Sequence, residues 1–281
     1  MNPIRAFLVR VGIGSVAGPS LRAGAAPHLV ADPVLDRPRG FGYKVNWFAV
    51  KTVDADAVLA TLRFSDRRKA NWASGLQFAH APSDGSEAGD FVFISPPVDG
   101  WVFIVGSRLP YPDHSETSER REIGSRFERI FSSLASAFPD VQFFGSHRVV
   151  DFCAWARARE GRVERVFSYA DGEVYVNFGE QSAEERRLGF VNLAGLSPSE
   201  ASEVLFAHAE RQDAKREELV RAGWDRGAAN KLLREGERCA LPNEDDPLAV
   251  AATWSVDPID HFERELPFGV GTVARLRDTV P

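Results

Sequence analysis

Residues 151–178 read DFCAWARAREGRVERVFSYADGEVYVNF, and two turn pairs divide them into three strands. Glu160–Gly161 and Asp171–Gly172 are the dipeptides that join antiparallel strands through two-residue turns, because both can take positive φ. Counting outward from the first turn sets Arg157 opposite Glu164, Trp155 opposite Val166, Ala154 opposite Phe167 and Phe152 opposite Tyr169. Counting from the second sets Tyr169 opposite Val174 and Phe167 opposite Val176. Side chains alternate along a strand, so the two registers predict one buried face of Phe152, Ala154, Ala156, Val163, Phe167, Tyr169, Val174 and Val176. Cys153, Trp155 and Val166 then belong to the other face.

Upstream, residues 43–51 alternate Tyr43, Val45, Trp47 and Ala49 with Lys44, Asn46, Phe48 and Val50, the composition of a strand. Asp54 is placed to cap a helix carrying Val58, Leu59 and Leu62, and a second short helix is read over 67–78 with Trp72 and Leu76 on one face. The runs 91–94 and 101–105 form a hairpin through Pro96, Pro97 and Asp99–Gly100. Ile123, Phe127, Ile130, Phe131, Leu134 and Phe138 keep helical spacing from 118 to Pro139, and 141–144 is a further strand. Strand, helix, strand, strand, helix, strand is the ferredoxin-like βαββαβ order. It predicts an α+β fold, an antiparallel sheet with helices on one face, extended by the hairpins of 151–178.

Three regions follow. Residues 1–42, rich in Gly, Pro and Ala, form an irregular arm; 43–180 form the sheet domain; 181–281 form a mainly helical segment packed on it. In that segment Ser182 with Glu185, and Ser197 with Pro198 and Glu200, are capping boxes. The second opens a helix to about residue 222 whose middle, 211–218, is almost wholly polar and belongs in solvent or against a charged partner. Another helix spans 225–234, stopped by Gly236, and Asp246–Pro247 and Asp257–Pro258 are two further cap-plus-proline starts.

Composition limits the function. The chain has 281 residues, 44% hydrophobic and 26% charged, with a net charge of −6, which fits an ordinary folded protein and argues against a nucleic-acid binder. Its longest apolar runs are too short to span a bilayer. Arg5, Arg10 and Arg22 without an acid give the first 31 residues a leader-like bias, which Arg10 and Pro19 interrupt. Two cysteines, Cys153 and Cys239, are too few to staple the chain and are read as free thiols in a reducing, cytoplasmic setting.

Each candidate site has a plainer explanation. The glycine-rich run at 11–18 with Asp32 imitates a dinucleotide fingerprint, but Pro19 and Pro27 break the helix that a phosphate would need. His147, Arg148, Asp151 and Cys153 gather between strands, where a thiol beside a histidine is a nucleophile and a buried thiol is packing. Asp257, Asp260, His261, Glu263 and Glu265 hold a single histidine, and carboxylates collect in a helix's first turn for electrostatic reasons. The strand aromatics lack the interleaved cations of a base-stacking surface.

By elimination, the leading expectation is a non-enzymatic, bacterial-type protein that binds another protein's basic surface, such as an immunity factor occluding a toxin. It carries no cofactor, no metal, no nucleic acid and no membrane. The alternative is a small-molecule-binding protein or hydrolase with a site between the sheet and the C-terminal segment, using His147, Cys153 or His261. A structural subunit of a larger assembly, marked by an exposed apolar sheet face, is a third.

Overall fold

Asp99, Glu160 and Asp171 take φ of 48°, 49° and 50°, each followed by a glycine of positive φ. The three expected turn pairs therefore form, and a sheet is laid out around them. The computed structural model describes residues 29–81, 91–114, 117–236 and 241–276; the glycine-rich run at 11–18 and Cys239 lie outside these.

Nine strands are described: β1 (Val45–Lys51), β2 (Ser65–Asn71), β3 (Phe91–Ile94), β4 (Trp101–Gly106), β5 (Asp140–His147), β6 (Phe152–Arg159), β7 (Arg162–Ala170), β8 (Glu173–Phe178) and β9 (Val270–Arg275). They make one antiparallel sheet in the order β2-β9-β3-β4-β1-β5-β6-β7-β8. The helices are α1 (Ala55–Thr61), α2 (Trp72–Ala79), α3 (Ser118–Ala137), α4 (Ala183–Arg187), α5 (Pro198–Arg221), α6 (Arg226–Gly236) and α7 (Asp246–Trp254). Both expected capping boxes, Ser182 with Glu185 and Ser197 with Glu200, are present. Among the described residues no helix is long and apolar enough to cross a membrane.

Helices cover both faces of the sheet, not one. On the first face α1 and α3 set Leu59, Leu62, Phe127, Phe131 and Leu134 against Phe48, Val50, Phe143, Ala154 and Ala156. On the second, α2, α7 and the arm at 29–42 set Trp72, Leu76, Trp254 and Phe41 against Trp47, Phe103, Phe144 and Trp155. Rings of this size each contribute about 1.5–3 kcal/mol when fully buried. The two layers therefore hold the sheet between them.

The helix expected over 67–78 starts later. Residues 65–71 pair with β9 as a strand, and Asn71 Oδ1 accepts from the Ser74 N–H at 2.9 Å. The Asp36 carboxylate, from the arm, takes the Trp72 and Ala73 N–H groups at 2.7 and 3.0 Å. These acceptors fix the helix start at Trp72. Ser-Asp-Arg-Arg-Lys before it is a charged edge strand, a composition that blocks pairing with other chains and hides the strand's periodicity.

The register of 151–178 also needs a correction. Beside its turn β7 pairs as counted, Arg159 with Arg162 and Ala158 with Val163, but a bulge at Glu164 shifts the rest by one residue. Trp155 then faces Phe167 and Cys153 faces Tyr169. A second bulge, at Tyr175, repeats the shift in β8: Tyr169 still faces Val174, but Ser168 faces Val176. Because a one-residue slip exchanges faces, the predicted face divides. Phe152, Ala154, Ala156 and Val176 pack under α3, joined by Val166, which was expected on the other face; Phe167, Tyr169 and Val174 join Cys153 and Trp155 on the opposite side, and Val163 is exposed.

The cause lies in the charges. The bulge turns Arg165, otherwise under α3, to the second face, where its Nε donates to Glu185 Oε1 at 3.0 Å and Trp155 Nε1 donates to the same oxygen at 2.9 Å. Arg157, now opposite Arg165, pairs with Asp140 at 2.6 Å, and Glu164 pairs with Arg159 at 2.7 Å.

Candidate functional site

At the end of the sheet where β1 and β6 begin and β4, β5 and β7 finish, the side chains surround a cavity of about 560 Å³. Lys44 is the turn residue just before β1, Asn46 lies at the start of β1, His147 at the end of β5, and Arg148, Val149 and Val150 form the 3₁₀ turn that follows it. Tyr111, Arg120 in the first turn of α3, Phe152, Asp171 and Tyr175 complete the wall.

Three cations, Lys44, Arg120 and Arg148, thus meet one carboxylate, Asp171, in a chain whose net charge is −6. Arg120 is held from two sides. Its Nε donates to the buried Asp113 Oδ2 at 2.7 Å, and its guanidinium carbon stands 3.8 Å from the centre of the Tyr175 ring. The bulge in β8 aims Tyr175 there, a use to which sheets often put bulges. Arg148 lies at the mouth, 75% exposed, with Nε 3.7 Å from Glu244 Oε1. Lys44, at φ 56°, is exposed and makes no ion pair with any described residue. A lysine in the left-handed region is uncommon and marks a position held by its surroundings.

The titratable groups of the wall that remain are uncharged at neutral pH. Burial above all raises the Tyr111 and Tyr175 hydroxyls beyond the ordinary phenol value, so both stay protonated at neutral pH. Asn46 is buried and donates Nδ2 to the Leu109 carbonyl at 2.7 Å, while its Oδ1 accepts no hydrogen bond. His147 is pushed below the usual imidazole range by burial and by His80, and is neutral at pH 7.

The three sequence candidates do not converge. His147 lines the cavity. In the β5–β6 register it stands opposite Phe152, whereas Cys153 stands opposite Ser146, so the imidazole and thiol project from opposite faces. Cys153 is fully buried, and burial first, then Asp246 and Asp151, push its thiol well up, leaving it protonated. His261 lies on a 3₁₀ turn with Nε2 2.8 Å from Asp99 Oδ2. Asp99 belongs to the β3–β4 turn, and β4 is three strands from β6. Asp257 Oδ1 accepts from the Ile259 and Asp260 N–H groups, as a cap does. Among the described residues no three His, Cys, Asp or Glu side chains are grouped to hold a metal.

Lys44, Tyr111, Arg120 and Tyr175 escape a motif search, because they come from four separate elements. One signal exists. Arg120 stands in the first turn of a helix, where the dipole disfavours a cation. The sequence accounts for that placement only if another group, here Asp113 with Tyr175, holds it.

Beside the mouth runs an acidic strip. Tyr43 donates its hydroxyl to Asp245 Oδ1 at 2.8 Å; that bond first, then burial and the charges of Asp245, Glu244 and Asp257, push its pKa up to about 12. No family model matches this chain, and no curated protein or solved structure matches it.

Proposed function

We propose that this is a non-enzymatic binding protein whose end-of-sheet cavity holds a small anionic molecule. One observation carries the reading: Lys44, Arg120 and Arg148 line a ligand-sized cavity whose lining has one carboxylate, Asp171, and although Arg120 is paired with Asp113 and Arg148 stands 3.7 Å from Glu244, Lys44 makes no ion pair with any described residue. Cavities of about 300–1,000 Å³ with a few polar groups on an apolar wall are the usual form of a small-molecule site. The protonated Tyr111 hydroxyl adds a donor suited to a ligand rich in acceptors, whereas the Tyr175 hydroxyl donates to Asp171 Oδ2 at 3.4 Å. His147 serves as a neutral wall residue.

A thermal-shift screen of small anions, neutral molecules and cations at low salt tests this. Anions should raise the melting temperature, and Lys44→Glu with Arg148→Glu should remove the effect. If no anion shifts the wild-type protein, or the double variant responds equally, the proposal fails.

The acidic strip favours a second reading, a protein contact of the immunity type, in which Glu244, Asp245 and Asp257 meet a basic partner. A basic protein should then co-purify at low salt and be lost with Asp245→Lys and Asp257→Lys; retention by that variant would exclude the strip as its contact. For the fold, we read the adjacent strands β3-β4-β1-β5, with α1 and α3 on one face, as a ferredoxin-like core into which β2 and α2 are inserted; that strand order supports the reading.

A further inference from the structure

We infer that the ligand of this cavity is an amphipathic organic anion, a single negative head on an apolar body, rather than an inorganic oxyanion. The inference rests on the anion-binding reading and narrows it. Two observations lead beyond charge. The first is the mouth. Arg148 opens a 3₁₀ turn whose next two residues, Val149 and Val150, are 90% and 46% exposed. Two adjacent valines held out at a cavity entrance bring apolar surface to water, and a bound apolar body would cover it. The second is the interior. Tyr111 and Phe152 pack ring to ring at 4.7 Å, and with Ala170 and the Tyr175 ring they form a largely apolar wall.

Size agrees with this division. At about 30 Å³ per molecule in the liquid, 560 Å³ is room for well over ten waters, far more than a lone phosphate or acetate fills. An inorganic ion would reach the cations at the mouth and leave the wall wet. A carboxylate or phosphate carried on a ring or short chain satisfies both regions at once. Its head meets Lys44, which makes no ion pair with any described residue, and Arg148, which gives up its 3.7 Å contact with Glu244, and its body displaces water from the wall. Arg120, already committed to Asp113, serves as a positioning residue for the Tyr175 ring.

Calorimetric titration of the full chain with four probes tests the inference: 1-naphthoate, octanoate, the neutral 1-naphthalenemethanol and inorganic phosphate. Naphthoate or octanoate should bind, the better of the two showing whether the body is a ring or a chain. The alcohol should bind at least about tenfold more weakly, the equivalent of losing one hydrogen bond to a charged group. Phosphate should be weaker still, and Lys44→Glu with Arg148→Glu should bring naphthoate down to the level of the alcohol. Both positions are exposed, so an unchanged melting temperature shows the variant to be folded. Phosphate binding as tightly as the organic anions overturns the inference while leaving an anion site. Equal binding of the alcohol overturns the need for charge, and binding of none of the probes overturns both readings.

Discussion

Gly145 holds the cavity together at the residue scale. A Cβ there would stand 2.5 Å from Asn46 Oδ1 and 2.7 Å from Phe152 Cε1, so Gly145→Ala must disturb both of these cavity-lining side chains. The expected loss of stability is about 1–3 kcal/mol, the usual range for overpacking, measured by chemical denaturation, together with weaker anion binding. Glu185 is the corresponding residue of the second face. It receives Arg165 and Trp155 and, through Oε2, the Ser182 N–H at 2.7 Å. Glu185→Gln leaves the buried Arg165 charge uncompensated, and a loss of about 3–5 kcal/mol is expected by the same measurement. Tyr43 gives a pH signature. Its folded pKa is raised from 10.0 to about 12, so its contribution to stability is complete below pH 10 and is lost as pH rises from 10 to 12. The difference in phenolate absorbance between the wild type and Tyr43→Phe should therefore appear near pH 12, not near 10.

At the scale of elements, turns and caps were legible because they are local. Asp99–Gly100, Glu160–Gly161 and Asp171–Gly172, the Asp54 cap and both capping boxes each depend on neighbouring residues, and all form. The bulges at Glu164 and Tyr175 were not legible, because what draws Arg165 and Tyr175 to their faces is Glu185 and Arg120, distant in sequence. β9 was hidden for a related reason. Gly271 is needed there because a Cβ would come within 2.3 Å of the Ile94 carbonyl oxygen, and glycine weakens the pattern that marks a strand. The polar middle of α5 did read correctly: the buried residues of this helix are Ala201 and Leu205, near its start. Ala214→Pro should therefore break the outer half, where an interior proline costs about 3 kcal/mol locally. Helical circular dichroism should fall while the denaturation midpoint of the sheet stays unchanged. A lowered midpoint would mean that the outer half supports the sheet.

For the whole molecule, the C-terminal segment belongs to the sheet twice, as the cover of its second face and as β9 between β2 and β3. A chain ending at residue 180 would leave Trp47, Phe144, Trp155 and Phe167 without the residues that bury them and β2 without its described pairing strand. Such a patch exceeds what soluble monomers expose, so the fragment should be recovered as aggregate; a soluble, cooperatively unfolding fragment would contradict this. The cavity lies at one end of the same sheet, and its cations come from the residue before β1, the first turn of α3 and the turn after β5, which the sheet brings together. The most direct test of the binding claim is therefore a map of backbone amide shifts in the full chain as 1-naphthoate is added. Saturable shifts are predicted around Lys44, through residues 147–152 and at 170–175, with α5 and α6 unmoved. Shifts confined to other surfaces, or none at all, would contradict the assignment of this cavity as the ligand site.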